Sequence, residues 1–356
     1  MRLEGCRGLD SWSFSNREES NGQRHPNSPT PIQKDRINYE YDRYYRRSPL
    51  REATMLRLTL RQLEYFVTIA ESETLAEAGG KLLVSQSTLS QSLTELEVAV
   101  GSQLFIRRRS RGISLTPSGR ETLVRARDVL RQASDIQWNA GGSSELRGPL
   151  AIGCYISLAP RIIPTLLETF SARHPLVDLA FSEQTQDLLQ NELLEGAIDV
   201  ALLFDMELRP GLLGHELARI PPHLIVRADH PLAERGHVRL AELAEEPMVL
   251  LDSPPSAENT LATYHALGVE PKVAYTARSF ETARSLVGRG FGYAFMVQRP
   301  ADSLTYDGGS VARLEIDDDL PPARLMLLVS SRARINERTR AFITHCEAHF
   351  AALAAG

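Results

Sequence analysis

Residues 58–119 read LTLRQLEYFVTIAESETLAEAGGKLLVSQSTLSQSLTELEVAVGSQLFIRRRSRGISLTPSG, and this stretch decides the fold of the N-terminal part of the chain. Apolar residues recur in it at steps of three and four, which predicts two short amphipathic helices. The stripe of the first helix is Leu60, Leu63, Phe66, Val67 and Ala70, and that of the second is Leu75, Ala78, Leu82 and Leu83. Thr74 precedes the second stripe, where a hydroxyl would cap the start of the helix.

A third helix is predicted at residues 86–98, after a short turn. Leu89, Leu93 and Leu96 would bury one face of it, which makes a helix-turn-helix. The other face is polar, and glutamine can bond bidentately to adenine while serine and threonine can serve either class of base. The candidate DNA-binding side chains of this region are Thr74, Ser85, Gln86, Ser87, Thr88, Ser90 and Gln91.

An arginine-rich segment follows the predicted helix-turn-helix. Residues 104–106 and 113–115 are typical of two short strands, and cations on the turn between them would form a wing that contacts phosphates or the minor groove. These wing candidates are Arg107, Arg108, Arg109 and Arg111. The plainer alternative is a solvated helix face followed by arginines that only aid solubility. The two features in this order favour DNA binding.

These residues closely resemble the LysR-type transcriptional regulators. The residues that carry the resemblance are Leu60-Arg61-Gln62-Leu63, Phe66, Ala70, Val84-Ser85-Gln86-Ser87, Leu89-Ser90, Leu96-Glu97, Gly101, Leu104-Phe105, Arg107, Leu115-Thr116 and Gly119. The resemblance implies a multidomain fold. Its parts would be a mainly α N-terminal winged helix-turn-helix, a long linker helix and a C-terminal two-lobed α/β domain similar to periplasmic binding proteins.

Three residues depart from the pattern of the family. Gly79 and Gly80 stand where an alanine and another helix former are usual, at a cost of up to ~1 kcal/mol each. The second helix is therefore predicted to be less stable here. Gln91 stands where arginine is common, so the base preference at that position stays open.

Composition predicts a soluble cytoplasmic protein with more than one domain. The chain has 356 residues, 42% of them hydrophobic, which is enough for proper cores. It has no apolar run long enough to span a membrane and no signal-peptide core at its N-terminus. Cys6, Cys154 and Cys346 are isolated, so no metal or other cofactor is expected. Cys154 is interpreted as a buried strand residue rather than a redox sensor, because no resolving thiol is near it in the sequence.

Charge is divided unevenly along the chain. Residues 1–54 carry 10 basic and 8 acidic side chains, residues 55–127 carry 10 and 7, and residues 128–356 carry 20 and 30. The mildly basic residues 55–127, which we call the DNA-binding head, are thus attached to an acidic C-terminal part, and this difference in charge directs the head toward DNA. The overall charge of -5 is therefore compatible with nucleic-acid binding.

The first 54 residues have few aliphatic side chains and no periodicity, which is typical of a disordered extension. The tract YEYDRYYRR at residues 39–47 interleaves tyrosine with arginine, and contact with nucleic acid is the alternative. A further alternative, slightly favoured over a functional extension, is that Met55 is the true start. We assign residues 1–54 to the extension and residues 55–116 to the DNA-binding domain.

Pro117 and Ser118 open a long predicted helix, which the sequence GGSS at residues 141–144 ends as a flexible hinge. We assign residues 117–146 to this linker. Its apolar residues alternate steps of three and four, which makes a seam suited to a second helix. The seam residues are Leu123, Ala126, Leu130 and Ala133. In the resembling family this helix pairs with the same helix of a second subunit in a dimer. The alternative is that the apolar seam is buried against the helix's own domain.

Residues 147–356 alternate predicted strands and helices, which favours a mainly parallel sheet. Strands are predicted at residues 150–155, 177–181, 198–204, 223–228, 247–251, 272–277, 292–297 and 325–330, and helices at residues 159–170, 188–195, 256–267, 280–287 and 336–352. The resemblance implies an effector-binding domain of two lobes. Residues 147–218 and 331–356 are assigned to lobe I, and residues 219–330 to lobe II.

Ligands of such domains bind beyond the carboxyl ends of strands, where helix N-termini present free N–H groups. The effector-binding candidates at these places are Ser157, Thr185, Ser253, Ser256 and Ser279, although each is alternatively an ordinary helix cap. Phe204 is a candidate pocket wall, with a plain core aromatic as the alternative. Convergence of the helix starts at Ser157, Thr185 and Ser279 would favour a small anion, and a carboxylate is the first expectation.

An enzyme on the same two-lobed fold is the alternative to a regulator. The candidate acid-base residues for it are His174, Asp199, Asp205, His215 and His223. The sequence has no nucleophile elbow, metal-binding His-Glu helix, phosphate loop or dinucleotide fingerprint, so we expect no catalysis. A further alternative is a small-molecule-binding protein whose N-terminal helices serve only oligomerisation.

The sequence therefore predicts a one-component transcriptional regulator controlled by a small-molecule effector. The expected partners are double-stranded promoter DNA, the effector, further copies of the chain in a homodimer or homotetramer, and RNA polymerase. No membrane partner is expected.

Overall fold

The computed structural model describes residues 56–108, 112–139, 145–300 and 302–355. The predictions made for residues 1–54, for Arg109 and Arg111 and for the hinge at residues 141–144 fall outside these described residues. All elements below lie in one compact unit, Leu58–Gly356.

The chain begins with helices α1 (Leu60–Ala70), α2 (Leu75–Leu82) and α3 (Gln86–Val100), followed by strands β1 (Phe105–Arg108) and β2 (Gly112–Leu115). Each helix follows a capping residue. The side chains of Thr59, Thr74 and Ser85 accept hydrogen bonds from backbone N–H groups of the first turn. The strands pair antiparallel, with Phe105 opposite Leu115. Together these elements form the predicted winged helix-turn-helix.

One apolar core joins these elements. Its buried residues are Leu63, Phe66, Ile69, Ala78, Leu89, Leu93, Leu96, Leu104, Phe105, Leu123 and Ala126. Two residues that the periodicity placed in the apolar stripes lie outside it, since Leu60 is 46% exposed and Leu83 is 93% exposed. Leu60 lies at the start of α1, and Leu83 ends α2 in the left-handed conformation with a φ of 56°. Their place in the apolar stripes was wrong, because Leu60 is the first residue of α1 and Leu83 follows the last residue of α2.

Helix α4 (Pro117–Asn139) is the long linker helix. Leu123 and Ala126 are buried in the winged-helix core, so their assignment to a seam with a second copy of the helix is wrong. Leu130 is half-buried against the same core. The periodicity identified an apolar stripe on α4 but could not identify the surface that covers it. Other apolar side chains of α4 are exposed: Val129, Ile136 and Trp138.

The remaining elements follow in chain order. They are β3 (Gly148–Tyr155), α5 (Ala159–Arg173), β4 (Val177–Gln184), α6 (Gln186–Leu194), β5 (Val200–Phe204), β6 (Leu212–Ile220), β7 (His223–Arg227), β8 (His237–Val238), β9 (Pro247–Leu251), α7 (Ser256–Ala266), β10 (Lys272–Ala277), α8 (Phe280–Gly288), β11 (Ala294–Met296), β12 (Val311–Ile316), β13 (Ala323–Ser330) and α9 (Glu337–Ala355). A short 3-10 turn, Leu240–Leu243, lies between β8 and β9. Strands β6, β8 and β12 were missing from the sequence-based prediction.

Lobe I contains a five-stranded sheet in the order β4-β3-β5-β13-β6. Strand β3 is parallel to β4 and β5, whereas β13 is antiparallel to β5 and β6. The assignment of residues 323–330 to lobe II was therefore wrong. Leu325 pairs with Phe204 and with Ala218, so the backbone hydrogen bonds of β13 are made inside lobe I.

Lobe II contains a four-stranded sheet in the order β11-β7-β12-β8 and a parallel pair, β9 and β10. A bridge from Met248 to Tyr293 connects this pair to the start of β11. The main core of the lobe includes the buried residues Tyr264 and Phe295, and Tyr264 contacts Phe295 edge to face at 6.2 Å between ring centroids. The carboxyl end of β9 and the start of α7 face lobe I.

Within the part of the chain that the structure describes, no helix has the length and apolarity needed to cross a membrane.

Candidate DNA-binding and effector-binding sites

Helix α3 presents its polar side chains to solvent. Leu89, Leu93 and Leu96 are buried on its inner face. Among the predicted base-contacting residues, the side chains of Gln86, Ser87, Thr88 and Gln91 are exposed and that of Ser90 is half-buried. The structure therefore gathers these five residues on the outer side of the second helix of the helix-turn-helix, where such a helix meets the major groove.

Hydrogen bonds distinguish the residues of this face. The hydroxyl of Ser85 caps α3 and lies 2.7 Å from that of Ser87 and 2.8 Å from that of Thr88. Gln91 donates its amide to Glu95 at 3.0 Å. Among the described residues the side chain of Gln86 has no partner, so its donor and acceptor are both free for a base edge.

Three other residues that were predicted to contact DNA need a different description. Thr74 accepts the backbone N–H of Glu77 at 3.1 Å, so its hydroxyl caps α2. Arg107 and Arg108 belong to β1, opposite Ile113 and Gly112, so their placement on the turn of the wing is wrong. The strand extends two residues further than the apolar pattern indicated, because pairing with β2 continues. Arg109 and Arg111 lie outside the described residues.

Between the two lobes, the hydroxyl of Tyr155 connects β3 to the start of α7. It donates to the carbonyl oxygen of Ser253 at 3.1 Å and lies 3.0 Å from the hydroxyl of Ser253 and 2.8 Å from that of Ser256. A second contact joins the lobes, because Gln298 donates to the hydroxyl of Ser157 at 2.5 Å. Three predicted effector residues, Ser157, Ser253 and Ser256, are thus brought to one interface. Tyr155 was not predicted, since its apolar neighbours on β3 made it look like a core residue.

A cavity between the lobes begins beside this interface. Phe204 lines it and is also buried, with its ring 6.2 Å from that of Tyr155 in an edge-to-face contact. Phe204 is therefore both a core aromatic residue and part of the cavity wall. A larger cavity of about 790 Å³, the outer cavity, shares Met206, Asn259, Phe295 and Val297 with this smaller inner cavity and leads to the surface. This size suits a small-molecule ligand.

Thr185 and Ser279 are not part of this arrangement. The hydroxyl of Thr185 donates to Asp187 at 2.5 Å, and Ser279 is exposed at the start of α8. Neither residue lines the two cavities between the lobes. The predicted convergence of three helix starts is therefore wrong, because only the position of Ser157 faces the other lobe.

Two buried glutamines of α6 shape the cavity wall. Gln186 accepts the backbone N–H of Phe204 at 3.2 Å and donates to the carbonyl oxygen of Met206. Gln190 accepts the backbone N–H of Arg209 at 2.7 Å. These hydrogen bonds hold in place the segment from Phe204 to Arg209, at the end of β5 and just after it. Their spacing of four residues on the buried face of a helix is the signal that the sequence analysis missed.

Two family models match this chain. The one described as LysR substrate binding domain matches residues 143–351, and the one described as bacterial regulatory helix-turn-helix protein, lysR family, matches residues 60–120. The chain belongs to the LysR family of transcriptional regulators. A LysR-family protein of this kind is a DNA-binding regulator with a C-terminal effector-binding domain, and the two matches cover both parts.

Similar proteins agree with this membership. A probable hydrogen peroxide-inducible genes activator from Mycobacterium avium is 34% identical to this LysR-family chain over 243 residues, which cover 67% of the chain and 78% of the relative. The C-terminal domain of a probable LysR family transcriptional regulator from Rhodococcus sp. RHA1 is 39% identical, with a TM-score of 0.55, and covers 56% of this chain and 99% of that one. HinK, a LysR family regulator from Pseudomonas aeruginosa, is 32% identical, with a TM-score of 0.56 and coverage of 82% and 99%.

The two described cysteines of this LysR-family protein are both inside lobe I. Cys154 and Cys346 are completely buried. Burial raises the pKa of the Cys346 thiol to about 12 and raises the pKa of Cys154 further. Both thiols therefore stay protonated, and the interpretation of Cys154 as a buried strand residue is confirmed.

Four of the five candidate acid-base residues have structural partners. Asp199 pairs with Arg131 at 3.4 Å and Asp205 with Arg324 at 2.5 Å. Burial, and then the charge of Arg299, lowers the pKa of His223 to about 3, so its imidazole is neutral. The other candidates are His174, which packs on Phe170, and His215, which lies 3.1 Å from Glu347. His223 differs from the other four, because its buried Nδ1 has no hydrogen-bond partner among the described residues.

Proposed function

We propose that this LysR-family regulator reads its operator through the outer face of α3, with Gln86 as the main base-contacting residue. The observation that carries the proposal is the free amide of Gln86 on an exposed polar face whose opposite side is buried by leucines. A glutamine amide can bond to the N6 and N7 atoms of adenine. Ser87, Thr88, Ser90 and Gln91 surround it and would supply further contacts to bases or phosphates.

Arg107, Arg108, Arg109 and Arg111 are proposed to contact phosphates or the minor groove beside the recognition helix. Their charge supports this role, since residues 55–127 carry 10 basic and 7 acidic side chains. Contacts of this kind fix the position of the protein on the duplex and make binding depend on salt.

The regulator is proposed to act as a homodimer or homotetramer, with the exposed apolar face of α4 as the contact between two linker helices. This face replaces the seam predicted at Leu123 and Ala126. Val129 and Ile136 are seven residues apart and 42% and 74% exposed, and Ala133 lies between them. A repeat of seven residues is what two paired helices require.

The effector is proposed to bind between the lobes at the cavities beside Tyr155 and Phe204. A ligand that prefers one arrangement of the lobes would shift the population toward it and so change how two DNA-binding heads are spaced. The Mycobacterium relative is named for a response to hydrogen peroxide. Oxidation of cysteine by peroxide starts from an accessible thiolate, and the two described cysteines of this chain are buried, so they do not support such a response. We therefore favour a bound ligand over an oxidant, and RNA polymerase is proposed as the partner that receives the output.

The test is a binding titration of Gln86→Ala on operator and scrambled duplexes. We expect the variant to lose ~1–3 kcal/mol of discrimination between the two sequences, because one base contact is removed. Its affinity for the scrambled duplex should stay unchanged. Gln137→Ala, which removes an exposed glutamine from α4, is the matched control. Equal discrimination in wild type and Gln86→Ala would remove α3 from the proposed base-reading role.

A further inference from the structure

We infer that the effector of this protein is an uncharged, largely apolar molecule, and that carboxylates and other anions are excluded. The inference rests on the proposed function, in which the effector binds between the lobes. It replaces the small anion that the sequence suggested.

The first observation concerns the helix N-termini that were expected to attract an anion. Of the two helices that begin at the interface between the lobes, α7 carries a carboxylate, Glu258, in its own first turn, whereas α5, which follows Ser157, carries none. A carboxylate at this position neutralises the partial positive charge of the helix terminus. At the start of α7 an anionic ligand would therefore meet negative charge, and at the start of α5 the hydroxyl of Ser157 already accepts a hydrogen bond from Gln298.

The second observation is that the start of α7 is already occupied. The hydroxyl of Tyr155 fills the space beside Ser253 and Ser256, with distances between 2.8 and 3.1 Å. Tyr155 and Ser253 are buried. A ligand anion could reach this helix terminus only by displacing a completely buried tyrosine and leaving its hydroxyl without a partner, which is costly.

The third observation is the absence of charge on the inner cavity. Every side chain that lines it is uncharged, but its volume is only about 20 Å³, so the body of a ligand fills the outer cavity and meets these walls at the shared residues Met206, Phe295 and Val297. Methionine thioethers adapt to apolar ligands and make favourable contacts with aromatic rings. Burying an ion against these walls without a counter-charge would be strongly unfavourable.

The outer cavity adds a negative mouth to these apolar walls. Its two arginines are already paired, since Arg324 lies 2.5 Å from Asp205 and Arg219 lies 2.7 Å from Glu216. Glu207 and Glu258 also line this cavity, and neither carboxylate has an ion-pair partner among the described residues. The mouth therefore repels anions as they approach.

Asn259 is the residue placed to give the ligand an orientation. It lines both cavities, and its side-chain amide has no partner among the described residues, whereas its backbone N–H is held by the carbonyl oxygen of Pro255 at 3.1 Å. A free amide offers donors and an acceptor at the centre of an apolar space. The ligand is thus an apolar body with one uncharged hydrogen-bonding group that meets Asn259.

The experiment uses two fluorescent probes with the same ring system and different charge. N-phenylnaphthylamine is uncharged and carries one N–H donor, and anilinonaphthalenesulfonate adds a sulfonate to it. Each is titrated into the full chain and into Ala262→Trp, which places an indole in the outer cavity from the exposed side of α7. Ala266→Trp is the matched control, since Ala266 is exposed on the same helix and lines neither cavity.

We expect the uncharged probe to bind at least about tenfold more tightly than the sulfonate, a difference of roughly 1.4 kcal/mol. Binding of the uncharged probe should be lost in Ala262→Trp and kept in Ala266→Trp. Asn259→Ala should weaken it by roughly 3-fold to 10-fold, the size of one lost hydrogen bond. Only fluorescence that Ala262→Trp removes is counted, because the sulfonate also binds to other apolar surfaces.

Two results would overturn the inference. One is sulfonate binding of equal or greater affinity that Ala262→Trp removes. The other is that Ala262→Trp removes no binding of the uncharged probe, either because this probe binds both proteins equally or because it binds neither. Operator titrations on the same proteins separate this inference from the proposed function. If the wild type shows no sequence-specific DNA binding, the proposed base reading by α3 is refuted, whereas the result with the probes still stands.

Discussion

Gly79 and Gly80 are neighbours on α2 with different surroundings. A Cβ atom on Gly79 would lie 2.8 Å from the backbone oxygen of Val84, in the turn that leads to α3. A Cβ atom on Gly80 would have no heavy atom within 4 Å. Gly79 is thus fitted to the close approach of the turn, whereas Gly80 only adds conformational entropy to the unfolded chain.

We predict that Gly80→Ala raises the free energy of unfolding by up to ~1 kcal/mol, because it reduces that entropy at a helical position with open space. Gly79→Ala should gain less or lose stability, since the turn must move to admit the Cβ atom. Urea unfolding of both variants measures the difference. A larger gain for Gly79→Ala than for Gly80→Ala would contradict the assignment of Gly79 to a close contact.

Helix α4 has three faces in three different surroundings. Leu123 and Ala126 belong to the winged-helix core. A polar face contacts lobe I, because Arg131 pairs with Asp199 at 3.4 Å and Asp135 with Arg338 at 2.7 Å. The third face, with Val129 and Ile136, is exposed. A helix with two faces already covered has one face left for a second chain.

We predict that replacing both Val129 and Ile136 with Glu yields smaller particles and weaker operator binding, since two heads on two half-sites require a fixed dimer. Sedimentation velocity and operator titration measure the two effects. Ala172→Glu, an exposed change on α5 that adds the same charge off the proposed dimer face, is the control. Leu123→Glu should instead unfold the winged helix, because it buries a charge in its core. Particles of unchanged size in the double variant would place the dimer contact elsewhere.

Arg127 joins three parts of the whole molecule. Its guanidinium lies 2.8 Å from Glu71, in the turn between α1 and α2, and donates to the backbone oxygen of Glu195 in lobe I at 3.0 Å. Its side chain is only 10% exposed. Because this guanidinium is partly buried and makes charge-assisted hydrogen bonds, its contacts are stronger than a solvated ion pair. Arg127 therefore connects the linker helix, the DNA-binding head and lobe I.

We predict that Arg127→Met loosens the contact between the DNA-binding head and lobe I by ~1–2 kcal/mol, because charge-assisted hydrogen bonds are lost while the apolar stem of the side chain is kept. Hydrogen exchange should rise in the turn around Glu71 and at the end of α6. Arg125→Met, an exposed change two residues away, should alter stability by less than about 0.5 kcal/mol. Unchanged exchange in Arg127→Met would show that other contacts hold these parts together.

Features that depend on neighbours within one or two helical turns could be predicted from the sequence. The cap at Thr74, the polar face that begins at Gln86 and the burial of Leu89, Leu93 and Leu96 follow from spacing alone, because side chains three and four residues apart share a helix face. The family could be recognised for the same reason, since its motif residues lie in this local region. The burial of Cys154 likewise followed from its apolar strand.

Features that depend on distant segments required the tertiary structure. Periodicity could not decide whether Leu123 meets its own domain or a second chain, nor that residues 323–330 return to lobe I to pair with β5 and β6. The hydroxyl of Tyr155 meets Ser256 across 101 positions of sequence, and this contact changed the expected ligand from an anion to an uncharged molecule. Long-range contacts of this kind are selected by the packing of whole lobes, which local propensity does not encode.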